Sequence, residues 1–328
     1  MNLFFLSIIG FFILELLYFK IADRYNIIDK PNQRSSHSQI TLRGGGVIFP
    51  IAFLIGIVIF QPHQYYLAIA ILAISTVSFL DDVMTLNNKL RIGVHLLSVS
   101  LLLTQIFINQ NIPFTALYNL YSLLFILSSL IITIGIINAY NFMDGINGIT
   151  VLYSLVTIST CLWVQNYLGI DLLSFGVFLL LIASLIVFGF FNLRKRAKSF
   201  AGDVGSIAVA LIISFLIGTL IIVTQDLKWI LLLGIYGLDA VATIVCRLLR
   251  KENIFDAHRS HFYQFLANEK KWSHVLIAVI YAVFQLLLNG ALIFGSAAVV
   301  YPTFIIIVSG YVLARLSLEG KARLFINY

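Results

Sequence analysis

The sequence predicts an all-α polytopic membrane protein of about eleven transmembrane helices, and two observations predict it. The 328 residues are 60% hydrophobic and only 11% charged, with a mean hydropathy of +1.00, a balance that soluble domains do not carry. The apolar residues also gather in runs long enough to cross about 30 Å of hydrocarbon.

The first run, 3–21, has no basic leader, contains Glu15 and lacks a small-residue cleavage site before Lys20, so a retained helix is expected there. Runs at 44–61 and 65–80 follow, then 92–109 after Lys89 and Arg91, and 118–137. The next four, 148–165, 172–191, 204–224 and 229–248, include two that open beside glycines, Gly148 and Gly202-x-x-Gly205. Runs at 274–297 and 299–316 complete the set. No soluble domain or low-complexity segment interrupts them. The chain is therefore expected to be a single membrane domain, 1–328, with polar loops at about 22–43, 81–91, 138–147, 192–203 and 249–273.

Threading these helices alternately across a bilayer places all but one of the 21 Lys and Arg residues on one side, Lys228 being the exception. The positive-inside rule then sets the N-terminus outside and the C-terminus in the cytoplasm. Topology accounts for the net charge of +7, and no nucleic-acid partner is needed. Cys161 and Cys246 lie in apolar helices without metal-ligand spacing and read as packing residues.

The polar clusters share the basic side, although the topology rests on Lys and Arg alone. Arg34-Ser35-Ser36-His37 precedes Gly44-Gly45-Gly46. Asp81-Asp82 ends the third helix, Asn138 to Gly148 forms the next inner turn, Gly202 to Ser206 opens the eighth helix, and His258-Arg259-Ser260-His261 lies in the last long loop. Acids at the C-terminal end of a helix sit against its dipole, which favours function over solvation for Asp81 and Asp82. Asp144-Gly145 and Asp203 to Ser206 could equally be turn and cap chemistry. Arg194-Lys195-Arg196 reads as a headgroup anchor, and His63, His95 and His274 as packing or interfacial residues beside no other polar cluster. His258 and His261 could form a cationic or hydrogen-bonding rim.

Asp81, Asp82, Asp144 and Asp203 with Asn141 are hard oxygen donors that suit Mg²⁺ shared with substrate phosphates. Lys89, Arg91, Arg259 and the inner glycines suit phosphate oxygens. A composite site for anionic, phosphorylated substrates is implied.

Five motifs in this order resemble the polyprenyl-phosphate N-acetylhexosamine-1-phosphate transferases. They are Pro31-Asn32-x-Arg34-x-x-His37 with Gly44-Gly45; Asp81-Asp82 with Lys89 and Arg91; Asn138-x-x-Asn141-x-x-Asp144-Gly145-x-x-Gly148; Ala201-Gly202-Asp203-x-Gly205-Ser206; and Arg259-Ser260-His261. The resemblance spans nearly the whole chain. It implies a bacterial inner-membrane enzyme, its active site facing the cytoplasm, that transfers a sugar 1-phosphate from a UDP-N-acetyl sugar to undecaprenyl phosphate and releases UMP. This would be the initiating step of O-antigen or related surface polysaccharide synthesis. Mg²⁺ would be the cofactor, with Mn²⁺ as a substitute. Membrane lipids surround such an enzyme, and a homodimer is left open.

By the same resemblance Asp203 and Asn141 would be the metal ligands, and Asp81 and Asp82 the catalytic pair at the lipid phosphate. Asp144, Asn138, Lys89, Arg91, His37, His258, Arg259 and His261 would bind substrate, the loop from about 249 to 266 recognising the sugar. Two departures stand out. Tyr263 and Gln264 occupy positions where many relatives carry further histidines, which resembles the branch using 6-deoxy sugars such as N-acetylfucosamine or N-acetylquinovosamine, GlcNAc remaining open. Thr41-Leu42-Arg43 precedes the glycines where a proline is common. Two other classes use similar residues. A prenyltransferase would need DDxxD-type spacing, whereas Asp82 is followed by Val83-Met84-Thr85. A carrier would place its ionisable residues near the bilayer midplane on broken helices, whereas here they gather at one face, Asp239 being the main acid left within a helix.

Overall fold

The computed structural model describes residues 2–30, 39–113, 119–254, 256 and 258–326. In chain order the helices are α1 (Asn2–Arg24), α2 (Ile48–Phe60), α3 (Tyr65–Val83), α4 (Asn88–Asn109), α5 (Leu120–Met143), α6 (Ile149–Leu168) and α7 (Phe175–Asn192). Then follow α8 (Gly202–Thr224), α9 (Gly234–Leu249), α10 (Phe262–Asn268), α11 (His274–Phe294), α12 (Ala297–Leu318) and α13 (Lys321–Phe325). Each apolar run read from the sequence is a helix, because only a helix satisfies its own backbone in hydrocarbon.

Among the described residues, ten helices are long and apolar enough to cross a membrane. The expected eleventh, 44–61, is the shorter helix Gly45–Phe60, which reaches only about 24 Å. Its first residues are a 3-10 turn, Gly45–Val47, and this turn packs into α8 instead of extending the span.

The core is built around α8. It is apolar on every side, as a helix enclosed by others must be, and every residue from Val204 to Ile217 is buried. Around it stand α2, α3, α4, α5 and α6. At the other extreme, α12 packs on α11 and has only Val300 and Arg315 buried. The C-terminal ends of α1, α3, α5, α7 and α9 meet the N-terminal ends of α2, α4, α6 and α8 at one polar end.

Two boundaries differ from the sequence reading. The inner turn expected from Asn138 to Gly148 is helical as far as Met143, because nothing in Asn138-Ala139-Tyr140-Asn141 breaks a helix; the break waits for Asp144-Gly145. The loop 249–273 contains α10, at whose start the His261 N–H donates to Gln264 Oε1 at 3.4 Å.

The α2 turn touches α8 backbone to backbone. A Cβ on Gly46 would fall 2.5 Å from Gly205 Cα and 2.7 Å from the Ala201 carbonyl oxygen, so neither side can yield by rotating a side chain. Gly46→Ala should therefore destabilise the protein by about 1–3 kcal/mol, read as a lower thermal unfolding temperature in detergent; an unchanged temperature would contradict this packing.

Candidate active site

The polar end is stitched together before any charge is considered. Thr41 and Leu42 pair antiparallel with Asp29 and Ile28, and Leu42 forms a parallel bridge to Ser199. The Phe200 N–H donates to the Leu42 carbonyl at 2.8 Å, while Gly45 and Gly46 N–H donate to Phe200 and Ala201 carbonyls, both at 3.0 Å. The Tyr18 hydroxyl of α1 donates to the Arg43 carbonyl at 2.5 Å. Arg43 is thereby fixed beside the first turn of α8.

That turn is capped from another helix. The Asp82 side chain is fully buried and accepts the Asp203 and Val204 N–H groups, each at 3.0 Å. The carboxylate that opposes the dipole of α3 thus sits on the positive end of α8. Gly202 makes this approach feasible: its φ is +72°, and a Cβ there would meet Asp82 Oδ2 at 2.5 Å.

Charges alternate outward from Asp82. Arg43 Nε lies 2.7 Å from Asp82 Oδ1, and its Nη2 lies 3.3 Å from Asp203 Oδ1. Arg91 Nη2 is 3.6 Å from Asp203 Oδ2, and its Nη1 is 2.9 Å from Asp81 Oδ2. Asp81 Oδ1 also accepts the Leu86 N–H at 2.8 Å. Burial opposes the charge on Arg43, but Asp82 and Asp203 overcome it and hold the guanidinium above its ordinary pKa.

Asn141 joins this group through the Ser206 hydroxyl, which donates to its Oδ1 at 2.9 Å, and it neighbours Asp203. Asp144, the C-cap of α5, accepts the Thr150 hydroxyl at 2.5 Å. Burial pushes its carboxyl up to about 7, the Thr150 bond works the other way, and the neighbouring Asp203 and Asp82 raise it further.

Of the residues singled out in the sequence, the structure therefore brings together Asp81, Asp82, Arg91, Asn141, Asp144 and Asp203. Lys89 stands exposed in the first turn of α4. The Asn138 amide donates back to its own helix, to the Ile134 carbonyl at 2.9 Å. Arg34 and His37 lie outside the described residues. His258, Arg259 and His261 form a separate group on the loop before α10. There Arg315 of α12 donates to the Ser260 carbonyl at 3.1 Å and Arg247 to the Asn253 carbonyl at 2.7 Å. Burial, then the neighbouring His261, lowers His258 to about 4 and so disfavours its charged form. His274, read as lying apart from any polar cluster, accepts the Asn147 N–H on its Nδ1 at 3.4 Å.

The donor set of the main site is all oxygen, and no group of three or more His, Cys, Asp or Glu that could hold a metal occurs among the described residues. Such a site can supply part of a coordination shell to a hard cation, with the remaining oxygens coming from substrate and water.

The family model for glycosyl transferase family 4 matches residues 64–224, the stretch that carries Asp81-Asp82, the Asn138 to Gly148 motif and Ala201 to Ser206. That match, just under half of the chain, bears out the resemblance to the polyprenyl-phosphate N-acetylhexosamine-1-phosphate transferases. Over 318 residues the chain is 28% identical to a probable undecaprenyl-phosphate N-acetylglucosaminyl 1-phosphate transferase of Bacillus subtilis, covering 93% of this chain and 87% of that protein. It is 25% identical to an undecaprenyl-phosphate alpha-N-acetylglucosaminyl 1-phosphate transferase of Thermotoga maritima, covering 83% and 84%. It is 30% identical to a phospho-N-acetylmuramoyl-pentapeptide-transferase of Lactobacillus gasseri over 50% of this chain and 57% of that protein.

Sequence reasoning missed Arg43, counting it only among the inner cations. Its signal was its place immediately before three glycines, a segment that can come close to another backbone. Thr150 was missed because a helical threonine carries no signal until its partner is known.

Two outcomes follow from this geometry. Arg43→Ala leaves Asp82 and Asp203 facing each other without their shared cation, and with Arg43 about a third exposed the loss should be about 1–3 kcal/mol. The unfolding temperature should fall, and Arg43→Lys should recover part of it. For Asp144 the folded form holds its proton to higher pH than the unfolded chain, so its contribution to stability is lost as pH rises from about 4 to about 7. Ligand-free Asp144→Asn should lose less stability than the parent between pH 5 and 8; identical profiles would contradict the raised carboxyl pKa.

Proposed function

We propose that the protein transfers an N-acetylhexosamine 1-phosphate from a UDP-sugar to undecaprenyl phosphate, releasing UMP, at the cytoplasmic face of a bacterial inner membrane. The observation that carries this reading is the alternating chain Asp82, Arg43, Asp203, Arg91 and Asp81 at the start of α8, in a chain whose relatives are named for this chemistry. The distribution of Lys and Arg supports the cytoplasmic placement.

In this reading a lipid phosphate oxygen attacks the phosphorus that bears the sugar, and the bond to the uridine phosphate breaks as UMP leaves. Both reactants are anions, so catalysis rests on charge neutralisation and positioning. Arg43 and Arg91 each hold carboxylates now and have N–H groups to offer phosphate oxygens, Arg91 at the mouth of α4 and Arg43 at the glycine turn. A phosphate monoester has its second pKa near 6 and is already largely ionised at neutral pH, so Asp81 need only orient it or briefly accept a proton. Asp82 is committed to the α8 cap and acts by placing Asp203 and Arg43. Direct attack is preferred to an aspartyl intermediate, which would appear as labelled protein when UDP-sugar is supplied without lipid.

Mg²⁺, with Mn²⁺ as a substitute, is the cofactor we infer. Asp203 and Asn141 would hold it, and it would offset charge developing on the bridging and equatorial oxygens. Asp144 would lie on the nucleotide side. The donor is a UDP-activated N-acetylated sugar, GlcNAc, FucNAc or QuiNAc, and the product would begin an O-antigen or related surface polysaccharide.

The test is UMP release from a panel of UDP-N-acetyl sugars, with and without undecaprenyl phosphate and Mg²⁺. Release that needs both is expected; no release from any donor would defeat the reading. Asp203→Asn keeps shape and removes charge, and it should abolish turnover while leaving the unfolding temperature near that of the parent. Full activity in that variant would defeat the metal assignment alone.

A further inference from the structure

Asp239 lies within α9, wholly buried, in a segment long and apolar enough to span a membrane. A carboxylate in that position is tolerated only when its oxygens are saturated with donors. Its Oδ1 accepts the Phe262 N–H at 3.1 Å and the Thr243 hydroxyl at 3.2 Å, and stands 3.2 Å from His261 Nδ1. Its Oδ2 accepts the Tyr263 N–H at 3.3 Å and the Tyr281 hydroxyl at 2.5 Å. Asp239 therefore gathers the first backbone N–H groups of α10 and the imidazole that precedes them.

An ionised carboxylate only accepts, so the proton in the contact between Asp239 and His261 belongs to Nδ1. The other ring nitrogen is then the one left to do something else. His261 Nε2 is buried and has no hydrogen-bond partner among the described residues, so it keeps an acceptor free for a ligand. Its ring lies 5.2 Å from the His258 ring, which in turn lies 6.1 Å from Phe142. The Tyr263 hydroxyl donates to the Phe142 carbonyl at 2.7 Å. The loop is thus seated against the end of α5 that carries Asn141 and Asp144.

We propose that Asp239 is a positioning residue that holds His261 as the Nδ1–H tautomer, so that Nε2 accepts a hydrogen bond from an amide N–H or hydroxyl of the donor's sugar. The inference rests on the transferase reading. It separates two functions of one ring: Nδ1 docks the loop, and Nε2 reads the ligand. Replacing the carboxylate by an amide would turn a donor toward Nδ1 and favour the wrong tautomer, as in catalytic triads.

His261→Asn tests this, because its amide N–H can replace Nδ1–H while Nε2 is deleted. With the UDP-sugar that supports turnover, the variant should keep the parent's unfolding temperature and its KM for undecaprenyl phosphate, while KM for the UDP-sugar rises by about tenfold or more. Asp239→Asn should raise the same KM. A parental KM in a folded His261→Asn protein overturns the proposal. A measurement on the unaltered chain covers the case in which the variant does not fold: ¹⁵N-histidine spectra, assigned by replacing the other histidines singly, should show His261 protonated on Nδ1 and its Nε2 resonance moving when that UDP-sugar is added. An unmoved resonance in protein that turns over overturns the proposal while sparing the transferase reading; absence of turnover in the parent overturns both.

Discussion

The buried carboxylate of Asp82 on the first turn of α8 is the constraint from which the polar end is built. A helix that opens inside a protein must find acceptors for its first N–H groups, and α8 is enclosed by its neighbours and opens on the left-handed Gly202 with no cap of its own. Asp82 supplies that acceptor from α3. Because the capping group is an anion with no solvent of its own, it must be neutralised from within, and Arg43 is the cation that reaches it. Once Arg43 is there, Asp203 and Arg91 fall into alternation around it.

The same economy explains why glycines crowd this end. Gly46 meets Gly205 backbone to backbone, and Gly202 admits the Asp82 carboxylate. Each contact brings peptide groups and charges from distant parts of the chain within a few ångströms, in a setting of low dielectric where their interactions are strong. Rigidity of this kind suits a site that works by holding charge in place.

A second polar centre forms inside the helices around Asp239. It is satisfied chiefly by neutral donors, and it docks α10 where it can touch the end of α5. Arg247 and Arg315, which count in the sequence as inner positive charges, are buried and hold the loop before α10 through its carbonyls. These charged side chains serve as scaffold.

The fold was legible because hydrocarbon tolerates so few solutions: apolar runs of sufficient length had to be helices, and the placement of Lys and Arg implied which ends belonged together. Asp81, Asp82, Asp144 and Asp203 were legible for the related reason that acids beside lipid stand out. The sequence by itself determined the class of the protein, the order of its long apolar helices and the chemistry gathered at one end. Only the tertiary structure decided that Asn138 turns away while Asn141 joins Asp203, that Arg43 is the central cation, and that Asp239 grips His261. Those choices depend on rotation about helix axes and on contacts such as Arg43 to Asp203, 160 positions apart in the chain, and no local pattern of residues encodes either.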